Sequence, residues 1–375
     1  MFQRPYTVVL LVPTGIGAAI GGYAGDALPV ARAIASVCDR LITHPNVLNG
    51  AMLYWPMPNA FYVEGYALDQ FAAGNWGLSP VHQNRIGLIL DRAIEPELQL
   101  RQLQAADAAR ATLGLNLTEY IVTDAPLGVE LRISRSGISW GTIANPDSLL
   151  RAAEKLITQA RAEAIAVVAR FPEDIENLAQ DNYRQGKGID PIAGAEAVIS
   201  HLIVRTFQIP CAHAPALNSY PPEPNLSPRS AAEEIGYTFL PCVLVGLSRA
   251  PQFLGRGAGG QGGRGAESEN SPVPSPQYPV PSPQSLTDIW ANQVDALVVP
   301  ATACGGSATL SFSQQGVQII AVAENQTQIQ VPPEPLGMKV LRVNSYLEAL
   351  GVLVAHKAGI DPSALSPAIS SIRSL

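Results

Sequence analysis

Eight short apolar runs, rich in branched residues, each stop abruptly in a polar loop. Val8–Val12 runs into Pro13-Thr14-Gly15, Leu41-Ile42 into Thr43-His44-Pro45-Asn46, and Tyr120–Val122 into Thr123-Asp124-Ala125-Pro126. Ile165–Val168, Cys242–Val245, Ala296–Val299, Ile319–Val322 and Val340–Val343 repeat the pattern. Helix-like stretches separate many of them: Ala27–Cys38, Glu97–Leu113 stopped by Gly114, a segment opened by Asn145-Pro146 and running to about Ala164, Ala193–Phe207, and Tyr346–Ala358. Uniformly apolar strands alternating with helices specify an α/β fold, a mostly parallel sheet or sheets flanked by helices. Ligands of such sheets sit beyond the carboxyl ends of the strands. Two similar lobes with a cleft between them satisfy the same pattern.

A chain of 375 residues with 47% hydrophobic and only 15% charged residues buries a large core under a sparsely charged surface. A net charge of −7 with no block of like charges disfavours nucleic acid as a partner. Cys38, Cys211, Cys242 and Cys304 form no C-x-x-C pair and no zinc or disulfide spacing, so they read as reduced thiols. Arg4 ahead of Val8–Val12 resembles the start of a signal peptide, but Pro13, Gly15 and Gly17 cut the run short. No apolar stretch reaches the roughly 18 residues of a membrane span. The expectation is a cytoplasmic protein with no membrane or nucleic-acid partner, compatible with a homo-oligomer.

Residues 1–254 read as the main α/β region and 287–375 as a C-terminal α/β segment packing on it. Between them, 255–286 reads as a disordered insertion: Gly255–Gln284 holds seven glycines and six prolines and almost no branched apolar residues. Its two arginines are too few for an RNA-binding tract. Residues 44–65, with Tyr54, Trp55, Pro56, Pro58 and Asn59, fit neither periodicity and read as loop. Leu11-Val12-Pro13-Thr14-Gly15 and Val298-Val299-Pro300-Ala301-Thr302 form a faint repeat, which would put two small-residue loops at one sheet edge.

The first of these loops carries Thr14, Gly15, Gly17, Gly21, Gly22 and Asp26. A dinucleotide fingerprint fits it poorly. The helix starts about nine residues after Gly17, and no acid follows the second strand to hold a ribose. Tight loop packing and the cradling of an anionic or carbonyl group are the readings left, with Asp26 as a helix cap. The second, Thr302-Ala303-Cys304-Gly305-Gly306-Ser307, can form a nest of N–H groups for a carboxylate, phosphate or oxyanion, or be simply a tight strand-to-helix turn. Cys304 is a nucleophile only if its thiol is made acidic.

His44, with Asn46 beside it, stands directly at a strand end, where an imidazole acts as acid, base or loop anchor. Glu324, after Val317–Val322 and beside Asn325, is the candidate general base. Cys211-Ala212-His213 offers two metal ligands without a third, so no metal site is expected. His201 reads as structural. Lys187 lacks both the preceding strand and the following Ser/Thr of a P-loop. No cofactor is specified.

Pro13-Thr14-Gly15-Ile16-Gly17 with Gly21-Gly22 and Gly25-Asp26, Thr43-His44-Pro45-Asn46, and Cys304-Gly305-Gly306 together resemble a cyanobacterial and plastid family, domain of unknown function 3326. The resemblance covers most of the chain outside the Gly/Pro-rich tract. It implies a photosynthetic lineage and a cytoplasmic or stromal setting, with no established activity to carry over.

The expected function is that of an enzyme acting on a small anionic metabolite. The loops Thr14–Asp26, Thr43–Asn49, Thr302–Ser307 and Glu324–Thr327 would converge on one cleft, with His44 and Glu324 moving protons. Hydrolase, lyase and transferase chemistry are not distinguished. A non-catalytic sensor using the same cleft, and an interaction protein using the aromatic stretch Tyr54–Tyr66, are the alternatives.

Overall fold

The computed structural model describes residues 4–49, 51–135, 138–172, 177–218, 221–234, 240–255, 287–369 and 371–372. From residue 256 onward, the tract expected to be disordered lies outside them. The strands in chain order are β1 (Thr7–Leu10), β2 (Arg40–Thr43), β3 (Ala60–Tyr62), β4 (Trp76–Ser79), β5 (Ile86–Leu90), β6 (Leu117–Val122), β7 (Val129–Ile133), β8 (Ser139–Ile143), β9 (Ala164–Arg170), β10 (Cys211–Ala216), β11 (Gln252–Gly255), β12 (Ala296–Pro300), β13 (Gln318–Val322) and β14 (Leu341–Val343). The helices are α1 (Leu28–Val37), α2 (Pro45–Leu48), α3 (Ala51–Tyr54), α4 (Gly65–Ala72), α5 (Pro96–Leu113), α6 (Pro146–Thr158), α7 (Asn177–Arg184), α8 (Ala193–Phe207), α9 (Pro228–Ala232), α10 (Leu240–Ser248), α11 (Ser307–Gln314) and α12 (Tyr346–Lys357).

Two parallel sheets carry the fold. The first has the order β14-β13-β12-β1-β2-β3, the second β10-β9-β5-β6. Two antiparallel pairs, β4 with β11 and β7 with β8, are appended. The strands are apolar throughout because helices cover both faces of each sheet. Val8, Leu10, Leu41 and Val298 enter one core; the alternate residues Val9, Ile42, Leu297 and Val299 enter the other. The second sheet divides in the same way, with Leu88, Ala166 and Val168 on one side and Ile89, Ile165 and Val167 on the other. Each core therefore runs across both sheets, with α10 in one and α4 and α8 in the other.

In the first sheet the chain winds outward from β1 through β2 to β3, then returns beside β1 with β12 and winds the other way to β14. This is the doubly wound order, whose crevice opens at the switch point beyond the carboxyl ends of β1 and β12. The segment 287–369 thus completes the first sheet rather than packing on a finished one. The two loops of the faint repeat follow adjacent strands, since Val8, Val9 and Leu10 pair with Ala296, Leu297 and Val298.

Several local expectations need correction. Cys242–Val245 lies in helix α10, not a strand. The helix is buried along its whole length, so its apolar residues show no period that would separate it from a buried strand. The stretch 44–65 is not a loop but carries α2, α3 and the three-residue strand β3, too brief to declare itself. The helix opened by Asn145-Pro146 ends at Thr158, and the chain turns at Arg161 with φ 54° before β9 starts at Ala164. Ala27, not Asp26, is the N-cap residue of α1.

Gly21 and Gly22 are required by packing. At Gly21, where φ is +94°, a Cβ would lie 2.0 Å from Val12 Cγ1; at Gly22 it would lie 2.4 Å from the Ala18 carbonyl oxygen. Gly21→Ala is therefore expected to cost about 2–4 kcal/mol of stability, from backbone strain plus displacement of Val12. Thermal denaturation of the variant checks this.

Candidate functional site

A cavity of about 560 Å³ opens at the switch point. The first sheet contributes Thr14 after β1, His44 and Asn46 after β2, Glu64 after β3, and Ala303 and Gly306 after β12. The second contributes Pro215 of β10, Leu217 and Asn218 beyond it, and His213 within it, together with Ala193, Glu196, Ser200 and His201 of α8. Tyr183, Arg184, Asp190, Glu233 and Glu234 close the wall.

The polar groups of this wall are tightly organised. Glu64 caps α4, its Oε2 accepting from the Tyr66 and Ala67 N–H groups at 2.8 and 3.2 Å. Its Oε1 lies 2.5 Å from His201 Nδ1, a close ionic contact whose N–H is poorly aligned for a hydrogen bond. Burial opposes a charge on His201, yet Glu64 and Asp69 together hold its pKa above the ordinary value. Asp69 Oδ1 accepts from Ala308 N–H at the start of α11, and Asp190 Oδ1 accepts from Ile192 N–H at the start of α8. Glu196 and Ser200 stand one turn apart on α8, on a face distinct from the Ile199 and Ile203 that enter the core. Ser200 Oγ is 2.5 Å from His213 Nδ1, and His213 Nε2 is 3.6 Å from Glu196 Oε2. Tyr183 O–H donates to Glu233 Oε2 at 2.5 Å, and Ala24 N–H donates to the same oxygen at 3.1 Å. Arg184 is bound to Glu234 and to the Pro221 carbonyl.

Too many carboxyl groups share this space for all to ionise freely. Burial, then the Glu196 charge, pushes Asp190 up to about 7. Burial, then the Asp190 charge, pushes Glu233 well above the carboxylate range. A carboxyl poised near neutrality and an imidazole oriented by Ser200, both on the wall of one cavity, are groups that general acid–base chemistry uses.

Of the residues singled out from sequence, Thr14, His44, Asn46 and Gly306 line the cavity. His44 Nε2 accepts from Val12 N–H at 3.3 Å, which leaves the ring proton on Nδ1, and burial drives its pKa down to about 4. His44 is thus a neutral donor at physiological pH. Glu324 is not on the cavity wall: it is exposed, and its Oε1 accepts from Tyr346 N–H at the start of α12. The expected meeting of His44 and Glu324 across one pocket does not occur. Asn325 is fully buried and ties the loop after β13 to the loop after β1 through both the N–H and the carbonyl of Ile20.

The other candidates serve the framework. Asp26 accepts from Gly21 N–H and pairs with Arg229. Gly15 accepts from Ser139 N–H through its carbonyl, and Gly17 packs on Gln328 and Ile189. Gly21 and Gly22 pack as described above. Thr302 Oγ1 bonds Thr327. Cys304 is buried with its thiol directed at the carbonyls of Pro300 and Ala301, and burial raises its pKa to about 11, which disarms it as a nucleophile. Gly305 packs against Val331, and Ser307 is exposed at the start of α11. In the aromatic stretch, Tyr54 and Trp55 are exposed, with the Arg32 guanidinium 3.6 Å over the Trp55 ring.

Asp69, Asp190, Glu196, Ser200 and Glu233 were not legible as site residues. One signal was available: Glu196, Ser200 and His201 are polar positions one turn apart on an otherwise apolar helix. Glu64 also follows a strand, β3, which lies within the stretch 44–65 read as loop.

Residues 7–366 match the family whose description reads "Protein of unknown function (DUF3326)". A relative from Synechococcus sp., named as an uncharacterized lipoprotein, is 58% identical over 368 residues, 98% of this chain and 95% of that protein. No solved structure matches.

A raised carboxyl pKa has a defined signature. The folded state keeps the Asp190 proton at pH values where the unfolded chain has shed it, so this group's contribution to stability is full below about 4 and falls as pH rises toward 7. Asp190→Asn retains the oxygen that caps α8. It should flatten the fall in melting temperature between pH 5 and 8, measured by thermal denaturation across that range.

Proposed function

The chain belongs to this family of unknown function, DUF3326, and we propose that it is an enzyme working by general acid–base catalysis on a small polar metabolite held between its two sheets. One observation carries the reading. At the switch point of a doubly wound sheet, a cavity of metabolite size holds a proton-bearing carboxyl, Asp190, and an imidazole, His213, whose Nδ1 is anchored by Ser200. His213 exchanges the proton at Nε2, the nitrogen that has Glu196 Oε2 3.6 Å away, while Ser200 holds Nδ1. Asp190 supplies the acid at neutral pH. Thr14, Asn46 and the Nδ1–H of His44 orient the substrate from the opposite wall. Hydrolytic, lyase and transfer reactions all use such a pair.

A cytoplasmic setting accords with four buried cysteines outside any disulfide. The Synechococcus relative is named a lipoprotein; in this chain Cys38 is a core residue whose thiol burial pushes up to about 12.

A metabolite screen by thermal shift tests the function, since a ligand bound only by the folded protein raises its melting temperature. For a metabolite found this way and turned over, His213→Ala and Asp190→Asn should each lower kcat by roughly 10²–10⁴-fold. Turnover unaffected by both would remove them from the chemistry, and binding without turnover would make the protein a sensor.

A further inference from the structure

We infer that the substrate of this cleft is an organic cation, an ammonium or guanidinium compound, received by carboxylate oxygens that project from the starts of three helices. The inference rests on the cleft being the functional site, as proposed above, and names what enters it. Clefts at the strand ends of doubly wound sheets ordinarily bind anions, because helix N-termini offer unpaired N–H groups there. In this protein carboxylates of the chain itself already accept from N–H groups at three such N-termini. Glu64 occupies the start of α4, Asp69 the start of α11 and Asp190 the start of α8.

Several loop amides are committed too. Ala19, Ile20, Gly21, Ala24 and Gly25 donate to Gln326, Asn325, Asp26, Glu233 and Asn46 respectively. After β12, Ala303 and Cys304 donate to Pro300 and Val331. The one arginine on the wall, Arg184, is neutralised by Glu234. An arriving anion meets six carboxyl groups on the cavity wall, Glu64, Asp69, Asp190, Glu196, Glu233 and Glu234. An arriving cation meets acceptors held in place by helix dipoles; among the described residues Asp190 has no ion pair to break, and Glu196 has His213 Nε2 3.6 Å away.

A second observation agrees. Asp190 faces Glu196 of α8, Glu233 beyond α9 and the Tyr183 hydroxyl of α7, and burial with these neighbours holds Asp190 up at about 7 and Glu233 well above its ordinary value. A bound cation would stabilise their ionised forms, so binding should release protons and tighten as pH rises from 6 to 8.

The test uses the full-length protein, with putrescine, agmatine and glucosamine set against succinate, inorganic phosphate and Mg²⁺, in thermal shift and then calorimetry. The expected result is stabilisation by at least one of the amines and by none of the anions. Affinity should rise at least tenfold from pH 6 to 8, and the binding enthalpy should vary with buffer ionisation heat. Glu196→Gln and Asp190→Asn, each isosteric and checked for native circular dichroism, should weaken binding tenfold or more. Stabilisation by succinate or phosphate that depends on these two residues would overturn the substrate class while leaving the cleft as the site. Mg²⁺ alone binding there would overturn it likewise, and so would amine binding that both variants leave unchanged. If no probe of either kind binds in the cleft, the inference falls and the proposed function loses its support with it.

Discussion

The parallel pairing of β1 with β12 is the contact on which the remaining architecture depends. Val8, Val9 and Leu10 lie beside Ala296, Leu297 and Val298, all fully buried, so two stretches at opposite ends of the chain become neighbouring central strands. Closing so long an interval costs conformational entropy, though the cost grows only slowly with length. Burial of branched side chains on both faces offsets it, with about 25 cal/mol for each Å² of apolar surface withdrawn from water. The pairing also creates the switch point. Without it the loops after β1 and β12 would not share a rim, and the second sheet would have no partner across the cleft.

Around that cleft, electrostatics and secondary structure are interlocked. Three cavity-facing carboxyl groups double as helix caps, and each cap joins elements distant in sequence or begins a helix that lines the site. Asp69 of α4 fastens α11, while Glu64 beside α4 meets His201 of α8, a helix of the same core. The helix starts tolerate buried acids because their N–H groups and dipoles favour negative charge. What remains unbalanced is the Asp190–Glu196–Glu233 cluster, where burial and repulsion push Asp190 up to about 7 and Glu233 well above its ordinary value. Structure and chemistry share the same residues here, so the site cannot be altered without touching the supports of its helices.

Much of the fold was legible because buried parallel strands and capped helices leave local marks. Seven of the eight apolar runs contribute to strands, and Gly114 closes α5 in the left-handed conformation as its position suggested. Cys242–Val245 misled for a physical reason: a helix buried on all sides is as uniformly apolar as a central strand. The site was less legible. Thr14, His44 and Asn46 were recognisable because strand-end loops are where such sheets bind ligands. Glu324 was misassigned on the same rule, because its strand end turns to cap α12 instead of facing the cavity. Residues such as Glu196 and Ser200 sit mid-helix, where nothing local distinguishes a cavity-facing polar side chain from a solvent-facing one.

By itself, the sequence determined the class of fold, the strand-end address of the cleft and the family, since hydrophobic period, turn residues and short motifs are local properties. Only the tertiary structure decided what the cleft contains. Which strands become neighbours, which N–H groups are already spent and which acids are driven together depend on contacts between residues hundreds of positions apart. The glycine-rich loops show the difference. Their composition advertised free amides for an anion, whereas packing consumed several of those amides and set carboxyl groups on the cavity wall.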